Sequence, residues 1–264
     1  MRPYYHYDEP QPRFGFAMSW TKTVKVLIAV NAAAYLATLI VDLSLGRHVV
    51  ESLFGYSWFD VVHRGWAWQP LTYMFVHWSL GHFVGNMLGL FFFAGDVERT
   101  LGRNKFIAFY LACGLGGAAL GSFYSGGMIG ASAAVYGVLI AFAILFPDAQ
   151  VMLFMTVPVK ARYLALGYVF ISVAGSLIGG DGVAHLAHLG GIVVAGAWMW
   201  GEPVWSRLGT ELAAARQARR TRRSAADQQE MDRILAKVHQ EGIHSLTATE
   251  KRFLNRMSRD IGQS

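Results

Sequence analysis

The stretch GGMIGASAAVYG, residues 126–137, is a glycine-rich loop leading into an apolar helix, and Ser132 stands at the junction. Glycine lets the backbone adopt turns that other residues avoid. The start of a helix also presents unpaired backbone N–H groups, which suit a developing negative charge. A serine at this point could therefore be a nucleophile beside an oxyanion site. It could also be an N-cap, which is the more common role of serine at the start of a helix. The rest of the chain must decide between these two roles.

The composition is that of a membrane protein. The chain has 264 residues, of which 54% are hydrophobic and only 15% are charged, whereas about a quarter of the residues of a soluble domain are charged. The apolar residues form several long runs, which predicts a multi-pass protein. The net charge of +6 need not indicate nucleic acid, because the basic residues lie beside apolar runs as they do in cytoplasmic loops. We therefore expect membrane lipids and no nucleic acid as partners.

The order of apolar and polar segments predicts an all-α polytopic membrane protein, a six-helix transmembrane bundle with a short helical cytoplasmic tail. The six predicted spans are residues 24–45, 78–94, 106–124, 132–146, 163–178 and 183–200. Three parts follow: a cytoplasmic arm (1–23), a six-span core (24–200) and a basic cytoplasmic tail (201–264). The fourth span covers only ~22 Å at 1.5 Å per residue, against a bilayer core of ~30 Å. Ser132 should therefore lie below the membrane surface.

The connections between spans predict the orientation of the chain. The first connection, about residues 47–76, is rich in aromatic residues and should lie at the outer membrane interface. Residues 95–105 are predicted to form a charged turn on the opposite side. With six spans, most basic residues fall on the side of this turn, so both termini should be cytoplasmic, in the cell (inner) membrane. Ser132 is then on the outer side.

The tail after residue 200 is predicted to contain two short helices. A basic run, Arg216–Arg223, is expected to meet anionic lipid headgroups. The apolar spacing in Asp227–His239 predicts an amphipathic helix. Thr247 and Glu250 have the spacing of a capping box, which predicts the start of a second helix.

Two pairs of polar residues occur at the starts of predicted spans. His82 and Asn86 are four residues apart, and His185 and His188 are three apart, so each pair shares one helix face. With six spans, both pairs lie at the depth of Ser132. Polar and ionisable residues within the membrane are costly and are functional candidates by default.

Three interpretations of these polar residues are open. The histidines that could form a zinc set are His77, His82, His185 and His188. However, no His-Glu-x-x-His pattern occurs and the spans contain no Asp or Glu ligand in their interior. In the second interpretation Ser132 performs acyl transfer, with a histidine as base and with Asn86 and a histidine as oxyanion donors. In the third, the polar residues only bond helices together. Acyl transfer alone explains the glycine loop, the position of the serine and the asparagine.

Together these residues resemble the rhomboid family of intramembrane serine proteases. The matching motifs are GASA at 130–133, AHLGG at 187–191, HFVGN at 82–86, the charged turn with Glu98 and Gly102, and the aromatic first connection. One detail departs, because Trp68-Gln69 stands where the family often has Trp-Arg. The resemblance covers about residues 24–200.

The resemblance implies a serine endopeptidase that cuts transmembrane protein substrates near their outer end, without cofactor or metal. His188 would be the base for Ser132 in a dyad, since no acidic third member is apparent. The backbone N–H of Ser132 and the side chains of Asn86 and His82 would hold the oxyanion, and Tyr136 would pack on the histidine ring. The alternative is a catalytically inactive rhomboid-like protein that binds membrane proteins.

The choice of His188 over His185 depends on small residues. Gly191 and Ala195 form a small-xxx-small pair, which lets helices approach closely, and the fourth span has a similar pair that begins at Ala133. We therefore expect these two helices to pack tightly and to bring His188 to Ser132. His185 should lie about one turn nearer the surface, and His77 is expected on the wet rim of the site.

Overall fold

The computed structural model describes residues 20–45, 48–124, 126–153, 156–179 and 183–261. Contacts divide the chain into two units, Met1–Glu202 and Pro203–Ser264. Most of the predicted arm, residues 1–19, lies outside the described residues. The division into arm, core and tail therefore stays a prediction.

Helix α1 (Lys22–Leu45) is followed by a connection that is folded rather than extended. It contains three short helices, α2 (Val49–Phe54), α3 (Trp58–Arg64) and α4 (Gln69–Thr72), and a 3₁₀ turn at Tyr73–Phe75.

A buried glutamine holds this connection together. The side chain of Gln69 is fully buried. Its oxygen accepts the backbone N–H of Ser57 at 3.0 Å, and its nitrogen donates to the Ser52 carbonyl at 3.4 Å. The residue that departs from the Trp-Arg pattern thus joins the ends of α2, α3 and α4.

The second predicted span is a longer helical stretch than expected. Helix α5 (Leu80–Gly89), a π-helical segment (Leu90–Ala94) and helix α6 (Gly95–Leu101) follow one another without a break. The prediction of a charged turn over residues 95–105 is therefore wrong for most of its length. The chain turns only at Gly102, whose φ of 80° favours glycine.

The charges of this stretch remain in the helix because they find partners there. Arg99 pairs with Asp96 on the helix surface. The buried carboxylate of Glu98 accepts hydrogen bonds from the hydroxyls of Thr21 and Thr23, the latter at 2.6 Å. Since these bonds replace water, the polar residues tie the start of α1 to α6 instead of breaking the helix.

Helices α7 (Arg103–Gly121), α8 (Ser132–Leu145) and α9 (Ala161–Ile178) correspond to the predicted third, fourth and fifth spans. Ten of the fourteen residues of α8 are buried, so α8 is the central helix of the core. Between α8 and α9 the strands β1 (Gln150–Leu153) and β2 (Val157–Lys160) form an antiparallel hairpin. The expectation of an all-α fold is wrong at this point, where β-branched valines favour strands.

Three helices of the described chain are long and apolar enough to span a membrane. They comprise residues Lys22–Leu45, Leu80–Leu101 and Ala161–Ile178, and α8 is a shorter apolar helix. The protein is therefore a mostly helical integral membrane protein. A count of six spans goes beyond these helices and stays a prediction.

Helices α7, α8 and α10 (His185–Glu241) meet through glycines. A methyl group built on Gly191 would overlap the carbonyl oxygen of Ala133, and one built on Gly190 would overlap that of Gly116. A methyl group on Gly117 would overlap the Ala133 side chain. We call these five residues the glycine seam. The close approach expected between the fourth and sixth spans is therefore present, and α7 takes part in it as well.

The second unit contains one helix end and one complete helix. Helix α10 continues to Glu241, so the predicted helix over 227–239 is part of it rather than a separate short helix. The residues before it are rich in alanine and arginine, which favour helix and leave no break. Helix α11 (Ala248–Ile261) follows after a 3₁₀ turn at Ile243–Ser245.

The start of α11 has the predicted capping box. The Thr247 hydroxyl accepts the Glu250 N–H at 3.3 Å, and the Glu250 carboxylate accepts the Thr247 N–H at 2.8 Å. The same carboxylate, which is buried, also accepts hydrogen bonds from Arg233 at 2.8 Å and Lys237 at 3.2 Å. The backbone bond from Thr247 and then the Arg233 guanidinium lower the pKa of Glu250 to about 2. We call the end of α10 and the start of α11, joined through Arg233, Lys237, Thr247 and Glu250, the tail hairpin.

Candidate active site

Ser132 is the first residue of α8, and its hydroxyl faces another helix. The N-cap of α8 is Ala131, and no side chain caps this helix. The Oγ of Ser132 lies 2.8 Å from Nε2 of His188 on α10. The capping interpretation of Ser132 is therefore wrong, and the serine and the histidine form a hydrogen-bonded pair across 56 residues of sequence.

The imidazole of His188 is held by a tyrosine. Tyr136, one turn after Ser132 on α8, stacks on the His188 ring with centroids 4.2 Å apart and planes 15° apart. Tyr168 of α9 packs edge-on against Tyr136 at 5.0 Å. This stack restricts the rotation of the His188 ring, so that Nε2 stays directed at the serine.

His185 lies beside the pair, next to His188. Its ring is perpendicular to that of His188, at a centroid distance of 5.9 Å. It packs against α9, where a methyl group built on Gly175 would overlap it. Since His185 is buried as well, burial alone does not distinguish the two histidines. The hydrogen bond to Ser132 does.

His82 and Asn86 on α5 face the loop that precedes Ser132. Gly130 in this loop has a φ of 110°, which favours glycine. A methyl group built on it would lie 2.6 Å from His82 Nε2 and 3.6 Å from Asn86 Nδ2. Asn86 is buried and donates one hydrogen to the His82 carbonyl at 3.0 Å. The five site residues expected from the sequence thus surround the start of α8.

His77 is not on a wet rim, so that expectation is wrong. Its side chain is fully buried. Its ring packs against those of His82 and Phe83, with centroids 5.2 Å and 5.5 Å away. It precedes α5, lies outside the spanning helices, and burial lowers its pKa to about 4. His77 is therefore a neutral imidazole behind His82.

The first connection holds the glycine loop in place. Tyr56 and Met128 exchange two backbone hydrogen bonds, of 2.8 and 2.9 Å. The Gly130 N–H donates to the Tyr73 carbonyl at 2.8 Å, and the Tyr73 hydroxyl donates to the Gly114 carbonyl at 2.7 Å. Sequence reasoning missed Tyr56 and Tyr73, because in a connection so rich in aromatic residues no spacing distinguishes them.

This arrangement has the parts that acyl transfer needs. A nucleophile and a base belong within about 2.6–3.2 Å of each other. The first intrahelical bond of α8 runs from the Val135 N–H to Ala131, so the N–H groups before it are available to an anion. His82 and Asn86 add side-chain donors nearby. In the described part of the chain, no three His, Cys, Asp or Glu residues are grouped as metal ligands.

Comparison with known families gives two matches. The model of the Rhomboid domain matches residues 64–202, more than half of the chain and all five site residues. A second model, a family of unknown function (DUF6576), matches residues 220–260, which include the tail hairpin.

Similar proteins carry rhomboid names. RHOMBOID-like protein 12, mitochondrial, of Arabidopsis thaliana is 30% identical over 149 residues, 48% of this chain and 44% of that protein. Rhomboid protein 1, mitochondrial, of Saccharomyces cerevisiae is 31% identical over 135 residues, which are 48% of this chain and 39% of that protein. Presenilin-associated rhomboid-like protein A, mitochondrial, of Danio rerio is 30% identical over 148 residues, which are 50% of this chain and 37% of that protein. The chain spans less than half the length of these relatives, and its match to the domain model over residues 64–202 shows that it belongs to the rhomboid family.

Proposed function

We propose that the protein is an intramembrane serine endopeptidase with Ser132 and His188 as its catalytic dyad. The observation that carries this proposal is the 2.8 Å hydrogen bond between Ser132 Oγ and His188 Nε2. As Oγ attacks the carbonyl carbon of a peptide bond, Nε2 takes its proton and later gives it to the leaving amine. Water then attacks the acyl-enzyme, with His188 as base again, and releases the acid product and Ser132.

The oxyanion of each tetrahedral intermediate is bound by three donors in this mechanism. These are the backbone N–H of Ser132 and the side chains of His82 and Asn86. The proximity of His82 and Asn86 to Gly130 supports the assignment. The ring of Tyr136 keeps the imidazole in the orientation that proton transfer requires.

Substrates of this mechanism are transmembrane segments of other proteins. Helix α8 has 14 residues, or ~21 Å at 1.5 Å per residue, which is shorter than a ~30 Å bilayer core. Ser132 then lies below the membrane surface and meets peptide bonds within the bilayer. Small or helix-breaking residues near the outer end of a substrate favour cleavage, because they release the bond from helical hydrogen bonding.

The orientation that goes with this function has six spans and both termini on the cytoplasmic side of the cell membrane. The basic residues of the tail then lie beside anionic lipid headgroups. A reporter that is active only outside the cytoplasm, fused after Ser264, should stay silent, and the same reporter inserted after Gly65 in the first connection should be active. A signal from the C-terminal fusion would contradict an even number of spans.

The function is tested with a serine-directed fluorophosphonate and a model transmembrane substrate. The wild-type protein should react with the fluorophosphonate and should cleave the substrate. Ser132→Ala and His188→Ala should do neither, and their melting temperatures should stay at the wild-type value. His185→Ala is the matched control and should keep most of its activity, since the hydrogen bond to Ser132 is made by His188. Loss of cleavage in His185→Ala but not in His188→Ala would reverse the assignment of the base.

The same experiment distinguishes the alternatives. A folded wild type that is neither labelled nor active would support a non-catalytic rhomboid-like protein that binds membrane proteins. Activity that persists in Ser132→Ala and is lost with a zinc chelator would support a histidine-bound metal.

A further inference from the structure

Two histidine rings lie next to each other behind the loop that precedes Ser132. The centroids of His77 and His82 are 5.2 Å apart and the ring planes are inclined by 59°. The edge of the His82 ring formed by Cε1 and Nε2 faces Gly130. Its Nδ1 is buried without a hydrogen-bond partner among the described residues, and the same holds for Nε2 of His77. Buried polar atoms rarely lack a hydrogen-bond partner, so we expect these two nitrogens to have one.

The other nitrogen of His77 determines what its Nε2 can do. Nδ1 lies 3.3 Å from the carbonyl oxygen of Phe75. A carbonyl oxygen only accepts hydrogen bonds, so Nδ1 must carry the hydrogen. A neutral imidazole has a single N–H, and the buried His77 is neutral because its pKa is lowered to about 4. Nε2 of His77 is therefore an acceptor.

The same reasoning applies to His82, with the proposed function as its premise. To donate to an oxyanion, His82 must carry its hydrogen on Nε2, the nitrogen near Gly130. Its Nδ1 is then an acceptor as well. Two acceptors on adjacent rings cannot bond each other, but a water molecule has two hydrogens and can donate one to each.

We infer that His77 is a positioning residue: through one water molecule that donates to its Nε2 and to His82 Nδ1, it keeps His82 in the Nε2–H tautomer. The inference rests on the proposed function, because it assigns a task to His82 that only the oxyanion requires. The Nδ1–H tautomer of His82 would direct a lone pair at the oxyanion instead of a hydrogen. His77 thus acts on the reaction without touching the substrate.

Three substitutions separate the acceptor from the rest of the ring. His77→Gln keeps an acceptor oxygen near the position of Nε2, whereas His77→Asn keeps a polar group only near the position of Nδ1. His77→Phe keeps a ring without nitrogens. We expect kcat to stay within about twofold in His77→Gln and to fall about tenfold in His77→Asn and His77→Phe, with KM nearly unchanged.

A spectroscopic measurement tests the tautomer directly. In the full-length protein labelled with ¹⁵N-histidine, the His82 signals are identified by their loss in His82→Gln. Wild type should show hydrogen on Nε2 and none on Nδ1, and His77→Asn should show a mixture of tautomers. A purely structural role of His77 would change the melting temperature but not this spectrum.

The two proposals fail in different ways. Hydrogen on Nδ1 of His82 in wild type, or a wild-type spectrum and kcat in both His77→Asn and His77→Phe, would overturn the inference about His77. Absence of labelling and cleavage in wild type would overturn the protease. Because the spectrum needs no turnover, it tests whether His77 sets the tautomer of His82 independently of cleavage.

Discussion

The glycine seam and the tail hairpin join helices by opposite means. In the seam, helices α7, α8 and α10 touch through backbone atoms, and any added methyl group would overlap a neighbour. In the tail hairpin, a single buried carboxylate, that of Glu250, accepts hydrogen bonds from Thr247, Arg233 and Lys237.

The difference follows from the surroundings that the proposed six-span topology gives each region, a membrane for the seam and water for the tail hairpin. Within a membrane there is no hydrophobic driving force between helices, so small residues and close packing must hold them together. In water, a short helical hairpin has little core to bury, and charge-assisted hydrogen bonds can fix its geometry. The seam should therefore be sensitive to volume and insensitive to pH, and the hairpin should be the reverse.

The largest effect is expected from adding one methyl group to the seam. Gly191→Ala drives a methyl group into the Ala133 carbonyl, which should destabilise the protein by about 1–3 kcal/mol or more and should separate His188 from Ser132. Thermal unfolding in detergent and substrate cleavage measure the two effects. Gly196→Ala on the same helix is the control, because its methyl group would make an ordinary contact of 3.6 Å with Trp200. If the two variants had the same stability and the same cleavage rate, the close packing of the glycine seam would not be what holds these helices together.

The next effect concerns Asn86, a polar residue that the proposed mechanism uses. Asn86→Ala should lower kcat by ~10²–10³, with little change in KM, if the amide binds the oxyanion. The melting temperature should then change little. If Asn86 only held helices together, its loss would lower the melting temperature by an interaction of ~0.6 kcal/mol, and turnover would fall only in proportion to unfolded protein. Thr38→Val is a matched control, because Thr38 is also buried and also donates to a carbonyl four residues earlier. A normal kcat in Asn86→Ala would exclude Asn86 from the site.

The smallest effect on activity is expected from the tail hairpin. Glu250→Gln removes the charge that Arg233 and Lys237 bind, so hydrogen exchange over residues 228–261 should accelerate while cleavage in the core stays normal. Glu230→Gln is the control, because the Glu230 carboxylate pairs with Arg233 at the surface. Loss of cleavage in Glu250→Gln would show that the tail acts on the site.

The Glu250 carboxylate should make the stability of the tail hairpin depend on pH, whereas the stability of the seam should not. Its pKa is lowered from about 4.5 to about 2 in the fold. A group with a depressed pKa contributes its full stability above the ordinary value and loses it as pH falls through the folded value. Protection of the hairpin should thus decline between about pH 4.5 and pH 2 in wild type and much less in Glu250→Gln. An identical decline in both would assign it to other groups.

Local patterns predicted local structure well. The capping box at Thr247 and the start of α8 at Ser132 were both predicted correctly, because a helix terminus depends on residues within one turn. The close approach of two helices was predicted from the spacing of Gly191 and Ala195, since small residues on one face permit contact. The predicted helices of the core likewise follow from runs of apolar residues.

Features that depend on distant partners were not predicted. The helix continues through Glu98 because the hydroxyls of Thr21, just before α1, and Thr23, within α1, satisfy its carboxylate. Residues 95–101 alone do not reveal these partners. The role of Tyr73 depends on Gly114 and Gly130, both far away in sequence.

By itself, the sequence determined that the chain enters a membrane, that its polar residues there are few, and which side chains could do chemistry. These properties follow from composition and from spacing along single helices. The small residues beside His188 predicted that it, rather than His185, is the base. Only the tertiary structure decided that His188 meets Ser132 at 2.8 Å, since this distance joins two helices across 56 residues of sequence. The glycine seam makes this meeting possible, because it brings the backbones of α8 and α10 into contact beside the two side chains.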